Sequence, residues 1–401
     1  MSRTNRTPIG AFSYKYRHEM PPVGASKCLG LAGLLTRRYT PFMPRAGNLS
    51  GRERVRLALQ HRATDRVPIG MVCAGINPPA RSALQELLSR ERRVSVDEYL
   101  LPIVDIAEVS PPYIGPPMPA DTDVWGVRRR EVSYGSGSYN EIAHYPLSGE
   151  WTPARLAGHR WPDPAWYDYE SLPAMIRTVR AQSDRCVMVT NGNIFETSWY
   201  MRGFEQMLMD VMTDEELVHA IMGKVTDFYV SFFSRILAAA PGEIDLVFTA
   251  DDIGDQRGLL MPYDRWELLL KPYHRRLNDA IHEQGAKVIY HTDGSIMDAV
   301  GGLADMGIDV LQALQFSADN MDPVKLKTDF GGRLCFEGGV SVQTTLPFGT
   351  PGDVQREVRE RISVLGKDGG YILGPSHWIQ AGTPPENIVA MFDTAASWYP
   401  Y

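Results

Sequence analysis

Short, nearly unbroken apolar runs recur along the chain at 66–72, 105–111, 186–192, 245–252, 287–294, 310–315, 334–340 and 370–377. Runs of that length without in–out alternation predict strands of a parallel sheet, buried on both faces. Between them, apolar residues return every three or four positions. That spacing predicts amphipathic helices, among them 204–212, 214–240, 263–285, 295–307, 350–366 and 384–399. The first helix is signalled by LSGRERVRLALQHR (49–62), where Ser50 as N-cap and Glu53 three residues later form a capping box. Eight strands with intervening helices predict an α/β fold of the (β/α)8 TIM-barrel type. An open doubly wound sheet is the alternative, but no GxGxxG turn follows the first run. The string WGVRRREVSYGSGSYNEIAHYP (125–146) alternates around a GSGS turn. It predicts a β-hairpin insertion between strands two and three, set as a lid or rim over one barrel end.

Composition narrows the class. Of 401 residues, 44% are hydrophobic and 22% charged, the balance of a soluble globular protein. No run approaches the roughly 20 apolar residues of a membrane helix. The net charge of −7 argues against a general nucleic-acid binder. That charge is unevenly spread: residues 1–48 carry eight Lys/Arg against Glu19 alone, which leaves the remainder at −14. Residues 1–48 therefore read as a flexible basic extension and 49–401 as the barrel. Four widely spaced cysteines (Cys28, Cys73, Cys186 and Cys335) form neither a disulfide framework nor a thiolate zinc cluster, so a cytoplasmic protein is expected. Apolar outer helix faces are compatible with a homodimer.

Candidate chemistry collects at the predicted strand ends, where a (β/α)8 barrel carries its active site. Strand three ends in Asn193 with Glu196 beyond, strand four in Asp251 and Asp252, strand five in His291 and Asp293. Strand six offers Gln312 and Gln315, strand seven Glu337, and strand eight His377. His291 and Asp293 are two apart and share a strand face. With His377 they make a two-histidine, one-carboxylate set suited to zinc, with Glu337 as a candidate fourth ligand. The same residues are compatible with a metal-free acid–base site or a hydrogen-bonded polar cluster. Of Asp251 and Asp252 only one is expected to face the site, as acid/base or ligand. Asn193, Glu196, Gln315 and Trp199 are the substrate-binding candidates, although Trp199 also fits simple packing. Arg202 and Glu205 are expected to pair at the surface, and His274 and His282 to face solvent.

The strings RERVRLALQHRATDRVPIG (52–70), DDIGDQRGLLMP (251–262), KPYHRRLNDAIHEQGAKVIYHTDGSI (271–296), EGGVSVQTTLPFGTP (337–351) and GYILGPSHWIQAGTPPENIVAMF (370–392) resemble the uroporphyrinogen decarboxylase superfamily in content and order. The resemblance implies a (β/α)8 barrel and one of two chemistries. One is cofactor-free decarboxylation of uroporphyrinogen. The other is zinc-dependent methyl transfer between a corrinoid protein and a thiol or related acceptor. The Arg-rich RQAGRY string of the decarboxylases is replaced here by MVCAGINPPARSALQ (71–85), with Arg81 alone. Where coenzyme M methyltransferases resemble one another in a His-x-Cys string and a later Cys, this chain has His291-Thr292-Asp293 and His377. The expectation is a divergent member on the methyltransferase side. Zn²⁺ would sit on His291, Asp293 and His377, with Asp251, Asp252 or Glu337 as acid/base. A corrinoid partner protein would supply or take the methyl group of a small substrate. The alternative is a decarboxylase of uroporphyrinogen or another small carboxylated compound.

Overall fold

The computed structural model describes residues 49–72, 75–133 and 138–398. The expected basic extension and most of the GSGS turn lie outside those residues. Nine strands are described: β1 Ile106–Glu108, β2 Arg128–Ser133, β3 Ser138–His144, β4 Cys186–Asn193, β5 Leu246–Ala250, β6 Lys287–His291, β7 Val310–Ala313, β8 Cys335–Val340 and β9 Tyr371–Pro375. Seven of them form one parallel sheet in the order β1-β4-β5-β6-β7-β8-β9, so consecutive strands of this sheet are neighbours. The chain thus has the α/β architecture that the alternating pattern predicts.

The first predicted strand, 66–72, is not a regular strand. Leu373 N donates to Pro68 O and Gly70 N to Leu373 O, both at 2.8 Å, while Asp105 N donates to Ile69 O at 2.8 Å. This short segment therefore touches β9 on one side and the start of β1 on the other. Pro68 has no N–H to donate, which keeps the ladder short. Asp105 holds the segment in place, accepting from Arg66 Nη1 at 2.6 Å and from Ile69 N at 2.8 Å.

Strand alternation sorts the apolar residues into two groups. Met188, Leu246, Phe248, Ile289, Val310 and Ile372 pack with one another on the inner face of the curled sheet. Their neighbours, such as Val187, Val247 and Val288, belong to the larger core between sheet and helices. Ser50 and Glu53 form the expected capping box at helix Gly51–Leu59. The helix expected at 263–285 is instead two, Tyr263–Leu269 and Lys271–His282, because Pro272 cannot continue the hydrogen-bond ladder. No described helix is long and apolar enough to cross a membrane.

Between β1 and β4, strands β2 and β3 pair antiparallel as a separate two-stranded sheet. Arg202 ties this excursion down. It lies on helix Ile194–Arg202, is buried, and donates to Leu147 O at 2.8 Å and Asp210 Oδ2 at 2.6 Å. The expected surface pair with Glu205 does not form. Burial of Arg202 demands stronger partners than an exposed glutamate, and Asp210 and the backbone carbonyls supply them.

Candidate active site at the strand ends

Strand register sets three polar side chains side by side on the inner face. His291 pairs with Gln312 across β6 and β7, and Gln312 with Glu337 across β7 and β8. His291 is 3% exposed, and its Nδ1 lies 2.5 Å from Gln312 Oε1. Gln312 Nε2 donates to Val72 O at 3.0 Å. A carbonyl only accepts, so the amide nitrogen must face Val72 and the amide oxygen must face His291. Nδ1 therefore carries a proton, and Nε2 is the ring nitrogen that faces the mouth.

Asp293 follows two residues later, past the end of β6. Its N–H donates to Asp252 Oδ1 at 2.9 Å, and its Oδ2 lies 3.8 Å from His377 Nε2. Atoms of His291, Asp293 and His377 able to ligate a metal all lie within 4.8 Å of one another. Zinc bonds of about 2.0–2.2 Å place ligand atoms roughly 3.3 Å apart around one ion. The trio's limit of 4.8 Å is wider than that spacing by about 1.5 Å. Two imidazoles and a carboxylate with a fourth position left open match the donor set of catalytic zinc. The residues present fit the metal. Burial pushes the His377 imidazole down to about 4, which keeps it in the neutral form that a ligand needs. Burial, aided by Asp252, pushes Asp293 up to about 7 against the pull of His291.

The two adjacent aspartates face opposite ways, as strand alternation requires. Asp252 faces the mouth, with Oδ1 3.7 Å from His291 Nε2. Asp251 is fully buried on the other side. Its carboxylate accepts from Phe195 N and Glu196 N, each at 2.7 Å, and from His274 Nε2. Asp251 therefore satisfies orphan donors at the start of helix Ile194–Arg202 and orients the stretch that carries Glu196. His274, expected in solvent, is 1% exposed and packs edge-on against Tyr290. It shares a helix face with Leu277, Asn278 and Ile281, all buried, and that i, i+3, i+4, i+7 spacing carried the signal. His282 keeps part of its surface and bonds Asp309 at 2.7 Å.

Of the other candidates, Asn193 Nδ2 donates to Glu196 Oε2 at 2.5 Å. Glu196 is buried beside Asp252 and Asp251, and burial followed by those two carboxylates lifts its pKa well above the usual range. Gln315 accepts from Gly294 N at 3.0 Å and donates to Gln256 at 2.8 Å and Gln343 at 2.9 Å, bracing the turn after Asp293. A cleft of about 500 Å³ opens beside the trio, lined by Asp293, Gln315, Gln343, Phe348, His377 and Gln380. Trp199 is buried against Tyr200 and Phe204. Glu337 is fully buried on β8 and does not join the His291–Asp293–His377 group.

A parallel α/β sheet with acids and imidazoles gathered where its strands end defines an enzyme-type site. The family model described as uroporphyrinogen decarboxylase (URO-D) matches residues 141–398, and the chain belongs to that family. The methylated-thiol–coenzyme M methyltransferase of Methanosarcina mazei is 29% identical over 196 residues, which are 49% of this chain and 49% of that protein. The match thus spans about half the length of the curated relative. A solved methyltransferase from Methanosarcina mazei superposes with a TM-score of 0.65 at 16% identity, covering 87% of this chain and 98% of that one. At that identity the superposition shows a shared fold.

Proposed function

We propose that the chain is a zinc-dependent methyltransferase acting on a small methylated or methyl-accepting compound, with a corrinoid protein as methyl partner. Its seven-stranded sheet is taken to be closed into a (β/α)8 barrel by Pro68–Gly70, with the β2–β3 pair forming a rim at the mouth. The observation that carries the reading is the gathering of His291, Asp293 and His377 within 4.8 Å, in a chain whose relative is named as a methyltransferase. His291 and His377 present ring nitrogens, Asp293 adds a carboxyl group, and no thiolate takes part. Bound there, zinc would supply Lewis acidity. Asp252, with Oδ1 3.7 Å from His291 Nε2, is placed to hold or release a proton beside the trio. Glu196 and Asn193 set the polar wall beside it. The amides of Gln315, Gln343 and Gln380 line the cleft and orient the substrate by hydrogen bonds.

Decarboxylation of a porphyrinogen has weaker support. Such a substrate carries eight carboxylates, and the acids nearest the cleft, Asp252 and Asp293, offer them no positive charge. The test is a methyl-transfer assay on the purified full chain loaded with zinc, using methylcobalamin as the corrinoid probe and a panel of small thiols. Thiol-dependent loss of the methylcobalamin spectrum, abolished in Asp293→Ala, is expected. A zinc-loaded protein that transfers methyl to none of them, yet decarboxylates a porphyrinogen, contradicts the reading.

A further inference from the structure

Glu337 is the one member of the inner-face polar row with no part in the proposed chemistry. Its side chain is fully buried on β8, level with Gln312 and two strands from His291. The polar groups that act on it are the Val72 backbone and the Gln312 amide. Even so, neither carboxyl oxygen meets a donor with good hydrogen-bond geometry. The backbone around it is cut away to make room. A Cβ at Gly70 would sit 2.5 Å from Glu337 Oε1, and one at Gly374 would sit 2.6 Å from it. Two glycines from different elements thus shape a slot that any other residue would close.

A buried carboxyl without a donor is costly, and an apolar side chain would fill the same space at lower free energy. Helix capping explains Asp251 and ion pairing explains Asp105. Neither explains Glu337. What lies beside it is Gln312, whose oxygen takes the His291 Nδ1 proton. We propose that Glu337 is a positioning residue, whose carboxyl accepts from the Gln312 amide and so keeps His291 Nε2 turned toward the mouth.

The chemistry follows from donors and acceptors. The Gln312 amide carries two N–H donors; with one on Val72 O, the other is available to a Glu337 oxygen, and acceptors for both oppose an amide flip. Burial favours the acid, raising the pKa well above the usual carboxylate range. Outer partners of this kind fix the tautomer and ring orientation of a ligating histidine, and their loss typically lowers metal affinity about 10- to 100-fold.

The inference rests on the proposed metal role of His291, so its test includes a readout without metal. Side-chain ¹⁵N shifts of histidine-labelled, metal-free full-length protein report the His291 tautomer, assigned with His291→Gln. Wild type and Glu337→Gln, which keeps a carbonyl acceptor in the same shape, are expected to show the proton on Nδ1. Glu337→Leu is expected to show a mixture of tautomers, and Glu337→Ala serves if the leucine variant does not fold. With zinc added, affinity is expected to fall about 10- to 100-fold in the leucine or alanine variant and to hold in Glu337→Gln. An unchanged Nδ1–H tautomer in the removal variant, or its loss in Glu337→Gln, overturns the inference. If wild type binds no zinc but the tautomer still depends on residue 337, the metal reading fails and the positioning role stands.

Discussion

His291 and Gln312 face each other across β6 and β7 with 2.5 Å between Nδ1 and Oε1, and the far end of the amide is fixed on Val72 O. One neutral side chain thereby sets both the tautomer and the ring plane of a residue at the heart of the site. Replacing Gln312 by Leu removes that acceptor at nearly constant volume. Zinc affinity measured by competition with a chelator is expected to fall about 10- to 100-fold while the fold persists.

Adjacent aspartates are expected to separate stability from activity. Asp251→Ala strands two backbone N–H groups and the buried His274, and should cost about 3 kcal/mol or more in chemical denaturation. Asp252 keeps 37% of its side chain exposed. Asp252→Ala should change stability by no more than about 1 kcal/mol. Its effect is expected in the methyl-transfer rate instead.

Arg202 holds the excursion between β1 and β4 against helix Ile194–Arg202. Arg202→Ala leaves buried Asp210 with Gln206 but without its cationic partner and frees the Leu147 carbonyl, at an expected cost of about 3 kcal/mol. Glu205→Ala, on an exposed position of the next helix, should stay within about 0.5 kcal/mol. Thermal or denaturant unfolding of the two variants distinguishes them directly.

Glu196 gives a pH signature with a definite sign. Burial, then Asp252 and Asp251, raise its folded pKa well above the ordinary value. The folded chain therefore holds a proton that the unfolded chain releases. The stability linked to this group is fully present below the unfolded pKa and declines as pH rises toward the folded one. Glu196→Gln removes the titration and keeps an acceptor for Asn193. Its unfolding temperature should exceed that of wild type at pH 8, with the gap narrowing toward pH 5.

Much of this was readable in the sequence because its signals are local. A capping box at Ser50 and Glu53, continuous apolar runs, and residues two apart at a strand end all express geometry within a few bonds of each other. The same parity places His291 and Asp293 together and turns Asp251 away from Asp252. The rest depends on distant partners. Residues 66–72 look like a strand, yet Pro68 reduces the segment to a few bridging hydrogen bonds. Arg202 is charged and reads as surface until Asp210 and two carbonyls enclose it. His274 sits among arginines in sequence, but its helix turns it inward onto Asp251. Glu337 reads as a strand-end residue but lies in the middle of β8, and the glycines at 70 and 374 show how closely it is enclosed.

The central claim, that His291, Asp293 and His377 hold one metal ion, is tested most directly by zinc analysis of the purified wild-type protein beside His291→Ala, Asp293→Ala and His377→Ala. The account predicts close to one zinc per wild-type chain, bound through nitrogen and oxygen donors by X-ray absorption, with substantial loss in each folded variant. Folded wild type that takes up no metal, or variants that retain it undiminished, would contradict the account.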